Sequence, residues 1–215
     1  MIMWQRWARM GWGVGLVCSL VAGLFMTSEA QSQPLTETLK VVATVPELGS
    51  LVREVGGDQV AVTVLAKGTE DPHFVEAKPS FIKILSRADV FVQMGLSLEV
   101  GWAPVLLQQA RNRKIVPGAS GYIDASTVVA PRQVAKGPVD RSMGDVHPEG
   151  NPHYLLDPVQ SLKVVRLIRD TLSALQPSRQ ADFAARYMYG PASNVKEKSS
   201  WPQSKSRRPL HRLSR

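Results

Sequence analysis

Four histidines occur in the 215-residue chain, and three of them sit where they could bind a metal. His147 and His153 lie in GDVHPEGNPHYLLDP, residues 144 to 158, a stretch with three prolines, two glycines and three acidic side chains. His73 lies in TEDPHFVEAKPS. Both His73 and His153 follow a proline and precede an aromatic residue. Proline fixes the backbone that enters the histidine, so less freedom is lost when the imidazole takes a ligand. Neutral imidazole is the commonest protein ligand for zinc and its neighbours. A single loop histidine reads as solvated, whereas two in the same local setting read as ligands. Two nitrogens do not complete a four-coordinate zinc site, which needs two further nitrogen or oxygen ligands. His147 and nearby carboxylates are candidates for these. His211 falls in a basic, serine-rich tail and is set aside.

Other chemistries find no support. There is no His-Glu-x-x-His, and the proline in His147-Pro148-Glu149 bars an ordinary helix interior there. No Gly-x-Ser-x-Gly elbow and no glycine-rich phosphate loop occurs. No enzymatic activity is therefore expected. The lone cysteine, Cys18, lies in an apolar run near the amino terminus. Arg6 and Arg9, that run, and the small residues Ser28 and Ala30 form the three-part pattern of a secretory signal peptide over residues 1–30. The run is short for a spanning helix, and Val17 is not the small residue that lipidation wants before a cysteine. Cleavage before Gln31 leaves a chain without cysteine, so any metal must be held by histidine and carboxylate.

The formal charge of +8 is concentrated at the ends. Residues 190–215 carry seven Lys and Arg against one Glu, and the leader carries two Arg against one Glu. Residues 31–189 retain a net +1, which offers no basic face for nucleic acid. The tail holds six serines, three prolines and few apolar side chains, a composition that reads as disordered.

The histidines need elements to position them. LKVVATV (39–45), QVAVTVLA (59–66) and DVFVQMG (89–95) read as strands, with KIVPG (114–118) as a short fourth. Between them PELGSLVREVGG, PSFIKILSRA (79–88) and LEVGWAPVLLQQARN (98–112) read as helices, the last with Gly101 and Pro104 as candidate break points. Residues 119–143 read as irregular. DPVQSLKVVRLIRDTLSALQP (157–177) is an amphipathic helix with Asp157 as N-cap, Pro158 at N1 and an apolar face of Leu162, Val165, Leu167, Ile168, Leu172 and Leu175. A further helix starts at SRQADFAARYMY. The alternation predicts an α/β fold, a small parallel sheet flanked by helices. Ligands of such sheets sit at the carboxyl ends of the strands, and the His73 loop follows the second strand.

The leader, VVATVPELGSLVREVGGDQVAVTVLAKGTEDPHFVEAKPS, ADVFVQMGLSLEVGW and GNPHYLLDP together resemble the periplasmic zinc- and manganese-binding solute receptors of ABC metal importers, the adhesin-like family included. The resemblance covers about residues 38–189. It implies two α/β lobes joined by a long helix, with the metal in the cleft between them. Two amino-terminal histidines serve as ligands, matching His73 and His153, and the other lobe adds a third histidine and a carboxylate. The expected organisation is a signal peptide (1–30), an amino-terminal metal-binding lobe (31–156), a connecting-helix region (157–189) and a basic tail (190–215), with the second lobe missing. The implied cargo is Zn2+, with Mn2+ as the alternative. The implied partner is the ABC transporter permease in the inner membrane, served by a periplasmic monomer. A secreted metal buffer or a non-functional truncation product are the other readings. His147 is left between an auxiliary metal ligand and a solvated loop residue, with the second preferred.

Overall fold

The computed structural model describes residues 37–135, 137 and 147–189. The leader at 1–30 and the tail at 190–215 lie outside the described residues. The chain divides after Thr36, and everything described belongs to the second unit.

Four parallel strands form one sheet in the order β2-β1-β3-β4. They are β1 (Leu39–Ala43), β2 (Val60–Val64), β3 (Val90–Gln93) and β4 (Tyr122–Asp124). The helices are α1 (Pro46–Gly56), α2 (Pro79–Leu85), α3 (Ala103–Ala110), α4 (Pro158–Leu175) and α5 (Gln180–Tyr189). The chain steps outward from β1 to β2 and then crosses back over β1 to β3. Right-handed crossovers therefore carry α1 over one face and α2 and α3 over the other. The packing agrees: α1 meets α4 and α5, and α2 meets α3. Among the described residues no helix is long and apolar enough to cross a membrane.

The buried interior follows from this layering. Val41, Val42 and Ala43 of β1 and Val90, Phe91 and Val92 of β3 are buried, as central strands covered on both faces must be. Edge strand β2 is only half-buried and alternates with exposed positions. On α4 the buried stripe is Val164, Val165, Ile168 and Leu172, while Leu162, Leu167 and Leu175 are half-buried. The stripe turns toward Val164 because α4 packs against both α1 and α5. Asp157 caps α4 as its position suggests, its carboxylate accepting the Val159 N–H at 2.9 Å.

The fourth strand is a correction. KIVPG (114–118) forms a turn, and the strand comes from Tyr122–Asp124, in the segment read as irregular. Asn112 explains the turn: its side-chain amide donates to the carbonyls of Leu85 and Ala88 at 2.8 and 2.7 Å, and its oxygen accepts the Lys114 N–H. Ile115 is wholly buried, so its apolar character served the core and not a ladder. The chain reaches β4 through Gly121, where any Cβ would collide with the Asp89 carbonyl. Phe91 and Tyr122 then stack across the pair, their ring centroids 6.0 Å apart. The helix expected over 98–112 starts only at Ala103, because residues 94–102 are held in a tight turn.

Candidate metal centre

All the loops that matter leave the carboxyl ends of the strands. The loop after β2 carries Asp71-Pro72-His73. Asp71 Oδ1 accepts the His73 N–H at 3.0 Å, an Asx turn closed across the intervening proline. The same oxygen lies 2.5 Å from His73 Nδ1. The His73 amide, and after it the ring, hold the Asp71 carboxyl below the usual carboxylate range. An ionised carboxylate can only accept, so Nδ1 carries a proton, and in the neutral ring Nε2 is then the nitrogen with the lone pair. That Nε2 faces His147 Nε2 at 2.9 Å, and the two rings stack with centroids 5.0 Å apart. The His73 side chain keeps only 18% of its exposure.

His147 is thus a half-buried ring stacked on His73, where a solvated side chain was the preferred expectation. Its carbonyl accepts the Gly150 N–H at 3.2 Å. Gly150 adopts φ 122°, a conformation that favours glycine, and passes close to the Arg132 carbonyl, which accepts the Asn151 N–H at 2.8 Å.

Asn151-Pro152-His153 repeats the local construction. Asn151 Oδ1 accepts the His153 N–H at 2.8 Å, as Asp71 does for His73. Here the Asx side chain is neutral, and its amide nitrogen donates to Gln133 Oε1 at 2.6 Å. The His153 ring is exposed and lines an open cavity of about 510 Å³ with Arg132, Gln133, Asp157 and Gln160. A second cavity of about 400 Å³ lies over β3 and β4, with Tyr122, Asp124 and Glu149 on its walls. Neither cavity is lined by His73 or His147. The structure therefore joins His73 to His147, and sets His153 on the same edge of the sheet among other partners. Among the described residues no group of three or more His, Cys, Asp or Glu is gathered closely enough to hold a metal ion.

Several residues that build this edge escaped the sequence reading. Asp71 and Asn151 were visible as Asx residues two places before a histidine, a turn signal in its own right. Glu99, Trp102 and Tyr154 carry no such signal. Glu99 is 2% exposed and its carboxylate accepts from Thr44 Oγ1 at 2.6 Å, the Met94 N–H at 2.8 Å and the Gly95 N–H at 3.1 Å. Burial pushes the Glu99 carboxyl up, and these donors oppose the shift without cancelling it. The Tyr154 hydroxyl donates to the Met94 carbonyl at 2.5 Å, and the Trp102 indole N–H donates to the Pro72 carbonyl at 2.8 Å.

Known proteins resemble this arrangement in sequence and fold. The zinc-binding lipoprotein AdcA of Streptococcus pneumoniae is 27% identical over 179 residues, covering 81% of this chain and 35% of that protein. The manganese-binding lipoprotein MntA of Halalkalibacterium halodurans is 30% identical over 162 residues, covering 75% of this chain and 48% of that one. A zinc-bound ZnuA carrying a deletion of residues 138–173 superposes with a TM-score of 0.63 at 23% identity, over 76% of this chain and 56% of its own, a likeness of fold. The chain spans between a third and a half of the length of these curated relatives. The family model described as "Zinc-uptake complex component A periplasmic" matches residues 41–189, and the chain belongs to this ZnuA family.

Proposed function

We propose that this chain binds a divalent transition metal, zinc first and manganese as the alternative, as an extracytoplasmic receptor that passes the ion to an ABC importer. The role is binding, not turnover. The observation that carries the reading is His73: its Nδ1 is tied to Asp71, which leaves Nε2 as the nitrogen available to an ion at the carboxyl edge of the sheet. A carboxylate behind a ligating imidazole fixes the tautomer and raises its basicity. The relatives named for zinc and manganese support the choice of cargo.

His73 and His153 are the proposed ligands, and His147 is an auxiliary one. Two zinc-bound nitrogens in a tetrahedral site lie roughly 3.3 Å apart, given Zn–N distances of about 2.0–2.1 Å. His147 Nε2 at 2.9 Å is close to that spacing, and the two ring nitrogens lie within hydrogen-bond distance of one another. An incoming ion must displace this contact or use it. The permease partner, the periplasmic location and the division into lobe (31–156), connecting region (157–189) and tail belong to the same proposal.

Calorimetric titration of the chain with zinc tests it, using His73→Ala, His153→Ala and His147→Ala. The first two variants lose at least about tenfold in affinity and the third loses less. Acidification weakens binding in all of them, because protons compete for the imidazoles. If His147→Ala abolishes binding while His153→Ala does not, the ion sits between His73 and His147 alone, and the assignment of His153 is wrong.

A further inference from the structure

The two Pro-His segments are far apart in sequence, yet both are tied to one turn. The Trp102 indole holds the carbonyl of Pro72, the residue before His73. The Tyr154 hydroxyl, on the residue after His153, holds the carbonyl of Met94. Gly101 adds a close approach, since a Cβ there would stand 3.4 Å from the His73 carbonyl. We propose that residues 94–102 are a bracket that sets the His73 loop and the His153 segment relative to one another, and that Glu99 is the positioning residue that holds the bracket in shape. This rests on the metal-binding reading above for its purpose, though not for its geometry.

The bracket needs a clamp. Gly95, Leu96 and Ser97 all adopt positive φ, at 77°, 51° and 64°. Three successive left-handed residues, two of them not glycine, persist only where the surroundings over-determine them. Glu99 does so from inside. One carboxylate oxygen takes the Met94 N–H and the Thr44 hydroxyl, and the other takes the Gly95 N–H. Thr44 follows β1 and Met94 follows β3, so the clamp spans the point where the strand order reverses, between β1 and β3. The Glu99 carbonyl then accepts the N–H groups of Trp102 and Ala103, which starts α3 and aims the indole at Pro72. A carboxylate that merely satisfied buried donors would stabilise the fold evenly. A bracket makes both histidine segments depend on Glu99 together, and each depend on its own tether.

Amide hydrogen exchange of the full chain separates these cases without any metal. The reporters are the His73 and His153 N–H groups, each bonded to its Asx oxygen, with buried Val165 of α4 as the control amide. Trp102→Phe should speed exchange at His73 by about tenfold and spare His153. Tyr154→Phe should do the reverse. Glu99→Gln, which turns one acceptor into a donor facing the Gly95 N–H, should speed both and leave Val165 nearly unchanged. Equal acceleration at all three amides, or no selectivity between the two Phe variants, overturns the bracket. If Glu99→Gln does not fold, the selectivity of the two Phe variants still decides. Zinc titration of the same proteins adds the functional arm: each Phe variant should bind about tenfold more weakly than the parent. A parent chain that binds no zinc refutes the metal reading and leaves the exchange result standing. A zinc-binding parent whose Phe variants match it refutes the bracket.

Discussion

The His73 loop and the His153 segment begin from the same three-residue construction and end differently. In each, an Asx oxygen accepts the histidine N–H across a proline. Asp71 is charged and also takes the His73 ring, so both the backbone and the imidazole are held. Asn151 is neutral and spends its amide on Gln133, so the His153 backbone is held and its ring is left to line a cavity. The contrast separates two functions of an Asx turn. The turn orients the chain in either case, but only the carboxylate selects a tautomer and aims a lone pair.

The sharpest way to break the comparison is to remove what seats each segment in the core. Trp102 is 3% exposed and Tyr154 is 9% exposed. Trp102→Ala should cost about 3–5 kcal/mol by urea denaturation, and Tyr154→Ala slightly less, since burial of a large aromatic side chain dominates both. A cost under about 1 kcal/mol for either would show that its segment rests on the surface of the core and is not anchored in it.

Exchanging the two Asx residues sharpens the chemistry. Asp71→Asn keeps the acceptor for the His73 N–H and removes the charge behind the ring, so zinc affinity should fall by about tenfold or more. Asn151→Asp should change affinity much less, because its side chain does not reach the His153 ring. Equal effects on calorimetric titration would erase the distinction drawn between the two turns.

A smaller effect concerns the turn that both segments share. Folding raises the Glu99 carboxyl above its ordinary value of 4.5, chiefly by burial. The native state therefore holds this proton more tightly than the unfolded chain, and stability falls as pH rises from 4.5 through the raised value. Glu99→Gln lacks this dependence. The melting-temperature gap between parent and variant should thus be widest near pH 4.5 and narrow toward neutrality. Tyr154 and Tyr122, which face Glu99 and Asp124, are both pushed upward and do not titrate in that window. A gap that widens with pH would reverse the sign assigned to Glu99. The smallest expected change is Asp157→Ala at the start of α4, about 1 kcal/mol by thermal denaturation, from loss of one N-cap bond.

Much of this molecule is legible in its sequence, for local reasons. Valine-rich runs flanked by glycine and proline announce β1, β2 and β3, and Asp157-Pro158 announces α4, because strand burial and helix capping act over a few residues. Asx-Pro-His at 71 and 151 likewise dictates how the chain enters each histidine. What escaped detection depends on contacts made across the fold. β4 was misplaced because the buried Ile115 and the paired Ile123 look alike as isolated apolar residues. Residues 98–102 of the turn read as the start of a helix because nothing local shows that Glu99 is drawn inward by Thr44, Met94 and Gly95. The partnership of His73 with His147 spans 74 positions. Residue types, their spacing, the valine-rich strands and the capped start of α4 were thus settled by the sequence itself, since side-chain and backbone chemistry over a few residues determines them. Which imidazole faces which, and which carboxylate is buried, only the tertiary structure decided. Those outcomes depend on the packing of loops that meet at one edge of the sheet from distant parts of the chain.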